Sequence, residues 1–173
     1  MLQVANNFFL DLNRFHNYIK DIPLYTQNEF NNITNTKDTW PGLRSLEIFD
    51  NHPFLGFLFL NEFRRNFPSI DTKGLDIGLY LHLRLAEDQD KDWVHTDSGV
   101  YTCIIYLNET NYDSGTQLFN EVKKQDYRII NDTKYVKNTA IVFNSATPHR
   151  SILNFGTDIH NGRLTLNAFF YSN

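Results

Sequence analysis

Two segments in the first part of the chain carry hydrophobic residues at helical spacing. Residues 5–20 carry apolar residues at steps of three and four, which predicts a helix with one apolar face formed by Phe8, Phe9, Leu12, Phe15 and Ile19. Residues 53–66 show similar spacing, begin with a proline and end near a pair of arginines. Because proline is favoured in the first turn of a helix and basic residues in the last, this segment predicts a second helix.

The pattern changes near residue 71, where apolar and polar positions begin to alternate. Within Ile77–Leu85, leucines alternate with Tyr80, His82 and Arg84, which is the period of a half-buried strand and predicts a solvent-facing, structural His82. Turn-forming residues separate the further strands, as is typical of an all-β sandwich or barrel. We expect the last strand to lie inside the sheet. The further strands are predicted at 100–107, 117–119, 127–130, 139–143, 150–153 and 164–171.

The length of 173 residues suits one domain. No internal repeat, low-complexity tract or linker-like stretch divides the sequence. We therefore expect a single, mainly β domain with N-terminal helices, in which residues 1–70 form a helical support with a first strand and residues 71–173 form the β core. Between the two predicted helices, residues 40–44 (Trp-Pro-Gly-Leu-Arg) predict a turn entering a short strand.

Charge and hydropathy limit the classes of partner. The chain has 16 Lys and Arg against 20 Asp and Glu, a formal net charge of −4. Proteins that coat nucleic acid need a positive surface, so we expect no stable nucleic-acid binding. No apolar run is long enough to cross a membrane, and the N-terminus lacks a signal-peptide pattern. We expect a cytoplasmic protein without membrane contact, in the host cytoplasm if a phage encodes it.

The single cysteine, Cys103, excludes an intramolecular disulfide and a multi-cysteine metal site, so histidine and carboxylate would have to hold any metal. His95 and Asp97 are the first candidates, because residues i and i+2 of a strand point to one face. A His-x-Asp pair alone is a weak signal, since short motifs recur by chance. His149 follows the predicted strand 139–143 and completes a set of two histidines and one carboxylate, the facial triad suited to Fe(II) and O₂ chemistry.

A candidate anion site opens the last predicted strand. Arg163 and Thr165 stand two residues apart there and share one face. A guanidinium pairs with a carboxylate through two parallel hydrogen bonds, and a neighbouring hydroxyl can add a third. An anionic co-substrate is therefore the expected occupant.

The order His-x-Asp, His and Arg-x-Thr resembles the Fe(II)/2-oxoglutarate-dependent oxygenases. Within them it is similar to the prolyl 4-hydroxylase-like branch, as a small member of the phage or bacterial type. Residues 101–108 (YTCIIYLN) are similar to that branch's strand after the first ligands, and 114–119 (SGTQLF) to its Gly-Gly-x-Thr-x-Phe element with one glycine replaced. Residues 140–151 are similar to its approach to the last metal ligand.

The resemblance implies both a fold and a reaction. The fold would be a double-stranded β-helix, a jelly-roll or cupin-like core, and the three candidate ligands would bind Fe(II). The co-substrate 2-oxoglutarate would chelate the metal, with its far carboxylate held by Arg163, Tyr106 and Thr165. The implied reaction consumes O₂, releases succinate and CO₂ and hydroxylates the substrate, with ascorbate in a supporting role. The carboxylate ligand favours hydroxylation, because halogenating relatives lack it.

The substrate is less constrained than the reaction. We expect a protein or peptide side chain, proline being one candidate, and the alternative is a free amino acid or another small metabolite. Candidate substrate-binding residues are Arg84, Trp93 and Arg44. A different class of function is a non-catalytic jelly-roll module that binds a partner or builds a virion. The complete ligand set together with Arg163 favours the enzyme, because a binding module has no reason to keep it.

Overall fold

Helices occupy much of the first 70 residues, and strands dominate the rest of the chain. The computed structural model describes residues 1–91 and 93–172. The helices are α1 Leu12–Ile19, α2 Gln27–Thr34, α3 Ile48–Asn51, α4 Pro53–Asn66 and a 3₁₀ helix Ala86–Lys91. The strands are β1 Leu2–Ala5, β2 Leu43–Arg44, β3 Leu75–Arg84, β4 Tyr101–Tyr106, β5 Asn111–Lys123, β6 Asp126–Tyr135, β7 Ala140–Asn144, β8 His149–Ile152 and β9 Arg163–Ser172.

The described strands form a larger and a smaller antiparallel sheet. The larger sheet has the order β1-β7-β4-β9-β3-β2, and the smaller has the order β6-β5-β8. β9 pairs with β3 from Leu75↔Ser172 to Arg84↔Arg163 and with β4 on its other side. The prediction that the last strand lies inside the sheet is therefore confirmed.

The central part of the larger sheet is buried on both faces. Cys103 and Ile105 of β4 belong to a hydrophobic cluster that includes residues of α1 and α4. The alternate residues Ile104 and Tyr106 pack instead with Leu118 of the smaller sheet. Burial on both faces explains why β4 has a nearly continuous apolar run where a half-buried strand would alternate.

Phenylalanine rings fill the contact between α4 and the larger sheet. Phe63 of α4 and Phe170 of β9 have ring centroids 4.7 Å apart, and Phe59 lies 6.1 Å from Phe8 by the same measure. All four side chains are fully buried. α4 has the bounds that the sequence predicts, so the second predicted helix is confirmed.

The helix predicted over residues 5–20 is wrong in its first half. β1 extends to the start of this range and pairs with β7 at the edge of the larger sheet. α1 begins only at Leu12, where the Asp11 side chain accepts a hydrogen bond from a backbone N–H of the first turn. Phe8 and Phe9 are nevertheless buried, because the turn between β1 and α1 directs them into the core. Their spacing therefore imitates that of a helix.

The sequence reading missed α2 and α3. α2 starts with a capping box in which the Thr26 and Glu29 side chains bond each other's backbone N–H groups, a signal that the sequence carries. Its hydrophobic pattern is weak, because only Phe30 of the helix is buried.

Among residues 1–91 and 93–172, no helix combines the length and the apolar character needed to cross a membrane.

Candidate metal centre and the adjoining pocket

The three predicted metal ligands come together in space. One ligand atom from each of His95, Asp97 and His149 lies within 4.8 Å of the other two. His149 Nε2 is 3.2 Å from Asp97 Oδ2, and His95 Nε2 is 3.8 Å from Asp97 Oδ1. His149 is buried, Asp97 is partly buried and His95 is exposed, so the group is accessible from one side.

Both histidine rings are oriented as metal ligands require. His95 Nδ1 lies 3.0 Å from the Trp93 carbonyl oxygen, and His149 Nδ1 lies 2.9 Å from the Thr147 carbonyl oxygen. Because a carbonyl oxygen only accepts, each Nδ1 carries a proton and donates it, so Nε2 is the ring atom that faces Asp97. Either a proton on Nε2, which then donates to the carboxylate, or a metal ion bound by the Nε2 lone pair satisfies this contact. The donor set N, O, N therefore fits a divalent metal ion that keeps open positions.

Hydroxyl groups support the Asp97 carboxylate. Thr102 Oγ1 donates a hydrogen bond of 2.8 Å to Asp97 Oδ2 and lies 3.0 Å from Ser145 Oγ. Burial alone raises the pKa of Asp97, but the hydrogen bond and charge of His149, together with the hydrogen bond from Thr102, hold this pKa below its usual value. The carboxylate is therefore ionised at neutral pH, which is the form that binds a metal.

Backbone hydrogen bonds hold the ligands where the sequence reading expected a strand. His95 and His149 form an isolated antiparallel bridge, with N–H···O distances of 3.0 and 2.8 Å. The Asp97 N–H donates to the Ser145 carbonyl at 3.0 Å. The expectation that His95 and Asp97 share a regular strand is wrong, because residues 96–100 do not form a β-strand. His149 opens β8, so the ligands meet across two chain segments.

Arg163, the predicted co-substrate residue, is buried beside two hydroxyl groups. Its Nη2 donates to the Gly115 carbonyl at 3.1 Å and to Thr116 Oγ1 at 3.4 Å. The Tyr106 hydroxyl also donates to Thr116 Oγ1, at 2.9 Å. Arg163 Nε has no hydrogen-bond partner among the described residues, and none of their carboxylates forms an ion pair with this guanidinium. Because an unpaired buried charge is costly, the position fits an anionic ligand such as the far carboxylate of 2-oxoglutarate.

The segment before Arg163 folds on itself. Asn161 Oδ1 accepts hydrogen bonds from the backbone N–H groups of Thr157 and Asp158, at 2.7 and 3.1 Å. β9 then begins at Arg163. Thr165 follows on the same face, and its hydroxyl donates to the His82 carbonyl at 3.3 Å. The role of Thr165 toward a co-substrate stays a prediction.

A pocket of about 470 Å³ connects the ligand group with Arg163. The three predicted substrate-binding residues, Arg44, Arg84 and Trp93, also line it. Arg84 is buried and faces Arg163 across the β3–β9 ladder, whereas the Trp93 side chain is largely exposed. The structure therefore places every predicted substrate residue at the same pocket, and their roles stay predictions.

His82 lies inside this pocket, so its predicted solvent exposure is wrong. Only 7% of the residue is exposed, because β2 pairs with β3 at Arg44↔His82 and covers this part of the strand. His82 Nε2 donates to the Pro41 carbonyl at 2.9 Å. Burial, followed by the charges of Arg44 and Arg84, keeps the pKa of His82 well below its usual value. The ring is therefore neutral at physiological pH.

Sequence reasoning missed three residues of the site. Thr116 lies between Tyr106 and Arg163, and it belongs to the 114–119 element that carries part of the family resemblance. Trp40 and Tyr80 line the pocket as well. Tyr80 lies on β3, and the register of β2 against β3, which the sequence does not show, brings Trp40 beside it.

Comparison with known proteins places the fold. The chain matches no protein-family model and no curated protein. It is similar to an oxidoreductase of the 2OG-Fe(II) oxygenase family from Burkholderia pseudomallei, with 15% identity, a TM-score of 0.62 and coverage of 98% of this chain and 85% of that chain. It is also similar to HygX from Streptomyces hygroscopicus with nickel and 2-oxoglutarate bound, with 10% identity, a TM-score of 0.60 and coverage of 99% and 83%.

A third similar structure is a prolyl hydroxylase from Trichoplax adhaerens in complex with a peptide fragment of the hypoxia inducible factor oxygen degradation domain. It shares 13% identity at a TM-score of 0.54, covering 98% of this chain and 83% of that chain. Likeness at such identities shows the fold. The chain is mainly β with N-terminal helices, and its core is a double-stranded β-helix, as the sequence resemblance implied.

Proposed function

We propose that this protein is an Fe(II)- and 2-oxoglutarate-dependent dioxygenase that hydroxylates its substrate and releases succinate and CO₂. The observation that carries the proposal is the meeting of His95, Asp97 and His149 in the same pocket as the buried Arg163. A co-substrate that chelates a metal and carries a second carboxylate needs both features. The similar structure of HygX, which holds nickel and 2-oxoglutarate, supports this assignment.

Each residue of the site has a positional task in this proposal. When bound, Fe(II) with 2-oxoglutarate and O₂ supplies the oxidising chemistry that amino-acid side chains lack. The two histidines and Asp97 would hold the metal. Arg163 would pair with the far carboxylate, and Thr116 helps to position the guanidinium, because its hydroxyl accepts hydrogen bonds from Arg163 and from Tyr106. Thr165, on the same face of β9, completes the co-substrate end.

The substrate is proposed to enter beside the exposed His95 and Trp93. A peptide or protein side chain is the first candidate, supported by the peptide complex of the Trichoplax prolyl hydroxylase. A free amino acid or other small molecule is the second candidate, and it is favoured by a specific observation: the cationic side chains of Arg44 and Arg84 line the pocket.

Succinate release from 2-oxoglutarate, measured with Fe(II), ascorbate and air, tests this proposal. We expect release above the protein-free background for the wild type and for Arg128→Met, a variant of an exposed residue on β6. His149→Ala removes a ligand and should abolish release. If the wild type releases no succinate with or without peptide and amino-acid substrates, the non-catalytic jelly-roll module is the better account.

Several broader expectations stay predictions. They are the cytoplasmic location, the lack of stable nucleic-acid binding, the supporting role of ascorbate and the division at residue 70. Strands β1 and β2 belong to the larger sheet, and the main hydrophobic cluster runs from Phe8 to Phe170, so residues on both sides of that division share a core.

A further inference from the structure

A second arginine of the pocket, Arg44, has no anionic partner. Its guanidinium carbon lies 4.7 Å from the centroid of the Trp40 ring and 5.5 Å from that of the Tyr80 ring. Arg44 Nε is closed off from solvent without a hydrogen-bond acceptor, and so is the indole Nε1 of Trp40. Among residues 1–91 and 93–172, no carboxylate forms an ion pair with Arg44. The pocket therefore holds adjacent donors that lack an acceptor.

Contacts within the protein do not compensate for this charge. Burial lowers the pKa of Arg44 to about 10, so the side chain still carries its charge at neutral pH. Cation–π contacts contribute about 0.5–2 kcal/mol. Arg44 is only partly buried, so the open side of the pocket still reaches its guanidinium, but no carboxylate of the described residues neutralises the charge. Stacking on Trp40 and Tyr80 orients the guanidinium without neutralising it.

Two carboxylates near Arg44 affect its pKa, but neither pairs with it. Asp97 and Asp38 both act on it electrostatically, and neither makes a salt bridge to it. Asp97 belongs to the ligand group of the metal centre. Asp38 is exposed, where solvent screens its charge. A ligand in the pocket is therefore the available source of an anion.

The backbone holds Arg44 rigidly at this position. Its N–H and carbonyl exchange hydrogen bonds of 2.9 and 2.8 Å with Tyr25, and β2 pairs with β3 on the other side. Gly42, two residues earlier, has a φ of 83°, and a Cβ there would lie 2.3 Å from the Leu83 carbonyl oxygen. Only glycine allows this close approach, which brings the turn before Arg44 against β3. This fixed backbone, together with stacking on Trp40 and Tyr80, positions the guanidinium for the recognition of a planar anion.

We propose that the second of the two substrate candidates is the correct one: the substrate is a small molecule that carries a carboxylate, and this carboxylate pairs with Arg44 during the reaction. The inference rests on the proposed function. The planar fork of a guanidinium matches the two oxygens of a carboxylate, and Arg84, a second cationic side chain of the pocket, adds to the positive field there. The aromatic rings of Trp40 and Tyr80 would then border the carboxylate end of the substrate.

Trp40 provides a direct optical test, since the chain has two tryptophans, Trp40 and Trp93. In a Trp93→Phe background, Trp40 is the sole tryptophan and stacks on Arg44. The protein is loaded with Zn(II) and N-oxalylglycine, an unreactive analogue of 2-oxoglutarate, so that the readout is independent of turnover. Three probe pairs are titrated while Trp40 emission is followed: acetate and acetamide, benzoate and benzamide, and 3-phenylpropanoate and 3-phenylpropanamide.

We expect at least one carboxylate to bind saturably and about tenfold or more tightly than its amide. Arg44→Met should remove this preference, Arg44→Lys should keep part of it, and Arg128→Met, the matched control on β6, should keep all of it. The proposal is overturned if no carboxylate binds saturably, if acids and amides bind equally, or if Arg44→Met retains the preference.

A separate measurement distinguishes failure of the Arg44 proposal from failure of the proposed function. Fe(II) and 2-oxoglutarate, mixed anaerobically with the wild type, should give a visible charge-transfer band. If the band forms but no carboxylate preference is found, the Arg44 inference is wrong and the proposed function stands. If no band forms, the proposed function itself fails.

Discussion

Replacing Arg163 by methionine should separate co-substrate binding from folding. The side chain is 3% exposed, and the described residues provide it with hydrogen bonds but no carboxylate. Removing one partner of a buried charge pair costs about 2–5 kcal/mol. This corresponds to a loss of about 30-fold to several thousand-fold in the affinity for 2-oxoglutarate. Methionine has a similar length and no charge, so it fills the space without supplying a donor.

The stability of the unliganded protein should respond far less. Losing the hydrogen bonds to Gly115 and Thr116 costs about 1.5–3 kcal/mol each at most, because the donor is charged. Removing an unpaired buried charge gives back several kcal/mol of desolvation. The two effects oppose each other, and we expect the free energy of unfolding of Arg163→Met to change by less than about 2 kcal/mol.

Two assays check the pair of expectations. Isothermal titration calorimetry with Mn(II)-loaded protein measures the affinity for 2-oxoglutarate, and urea unfolding of the metal-free protein measures stability. Arg163→Lys, which keeps the charge but loses the planar fork, should lie between the wild type and Arg163→Met in affinity. The reasoning is refuted if Arg163→Met binds 2-oxoglutarate within about threefold of the wild type.

Three further predictions follow from packing and titration. Gly115→Ala should destabilise the protein by about 2 kcal/mol or more in urea unfolding, because a Cβ there would lie 2.0 Å from the Thr133 carbonyl oxygen; wild-type stability would contradict this. Since folding lowers the pKa of Asp97, its contribution to metal-free stability is present above an unfolded pKa of about 3.9 and is lost as the pH falls through the lower folded value. Unfolding followed downward from about pH 5 should therefore show a weaker acid dependence for Asp97→Asn, and equal slopes would count against it. Burial raises the pKa of the Cys103 thiol, so an aromatic disulfide reagent should modify it only after urea unfolds the protein, and rapid native labelling would be inconsistent with the fold.

The sequence predicts the parts of this fold that have a local signal. The apolar spacing of α4 and the alternation in β3 are local properties, and both elements are present in the structure. The prediction of a helix before Leu12 is wrong for a physical reason. Phe8 and Phe9 are buried by a turn that packs on α4 and β9, and a local period cannot distinguish that arrangement from a helix.

In the site, too, the features with a local sequence signal are predicted and those that depend on tertiary packing are not. The order of the motifs identifies His95, Asp97 and His149 as candidate ligands, and the three lie close together in the structure. Backbone hydrogen bonds between separate segments hold them there, whereas the sequence suggested a shared strand. The burial of His82 and the stacking of Arg44 on Tyr80 depend on the register of a two-residue strand, β2, against β3. Register between distant segments is a tertiary property, and alternation within one strand does not encode it.

The central claim is that the three ligands hold Fe(II) and that Arg163 holds 2-oxoglutarate beside it. An anaerobic titration of the wild type with Fe(II) and then 2-oxoglutarate, followed by visible absorption, tests this most directly. The account predicts a weak charge-transfer band that saturates with one equivalent of each, is absent in His149→Ala and needs far more 2-oxoglutarate in Arg163→Met. A folded wild-type protein without this band, or a His149→Ala protein with the full band, would contradict it.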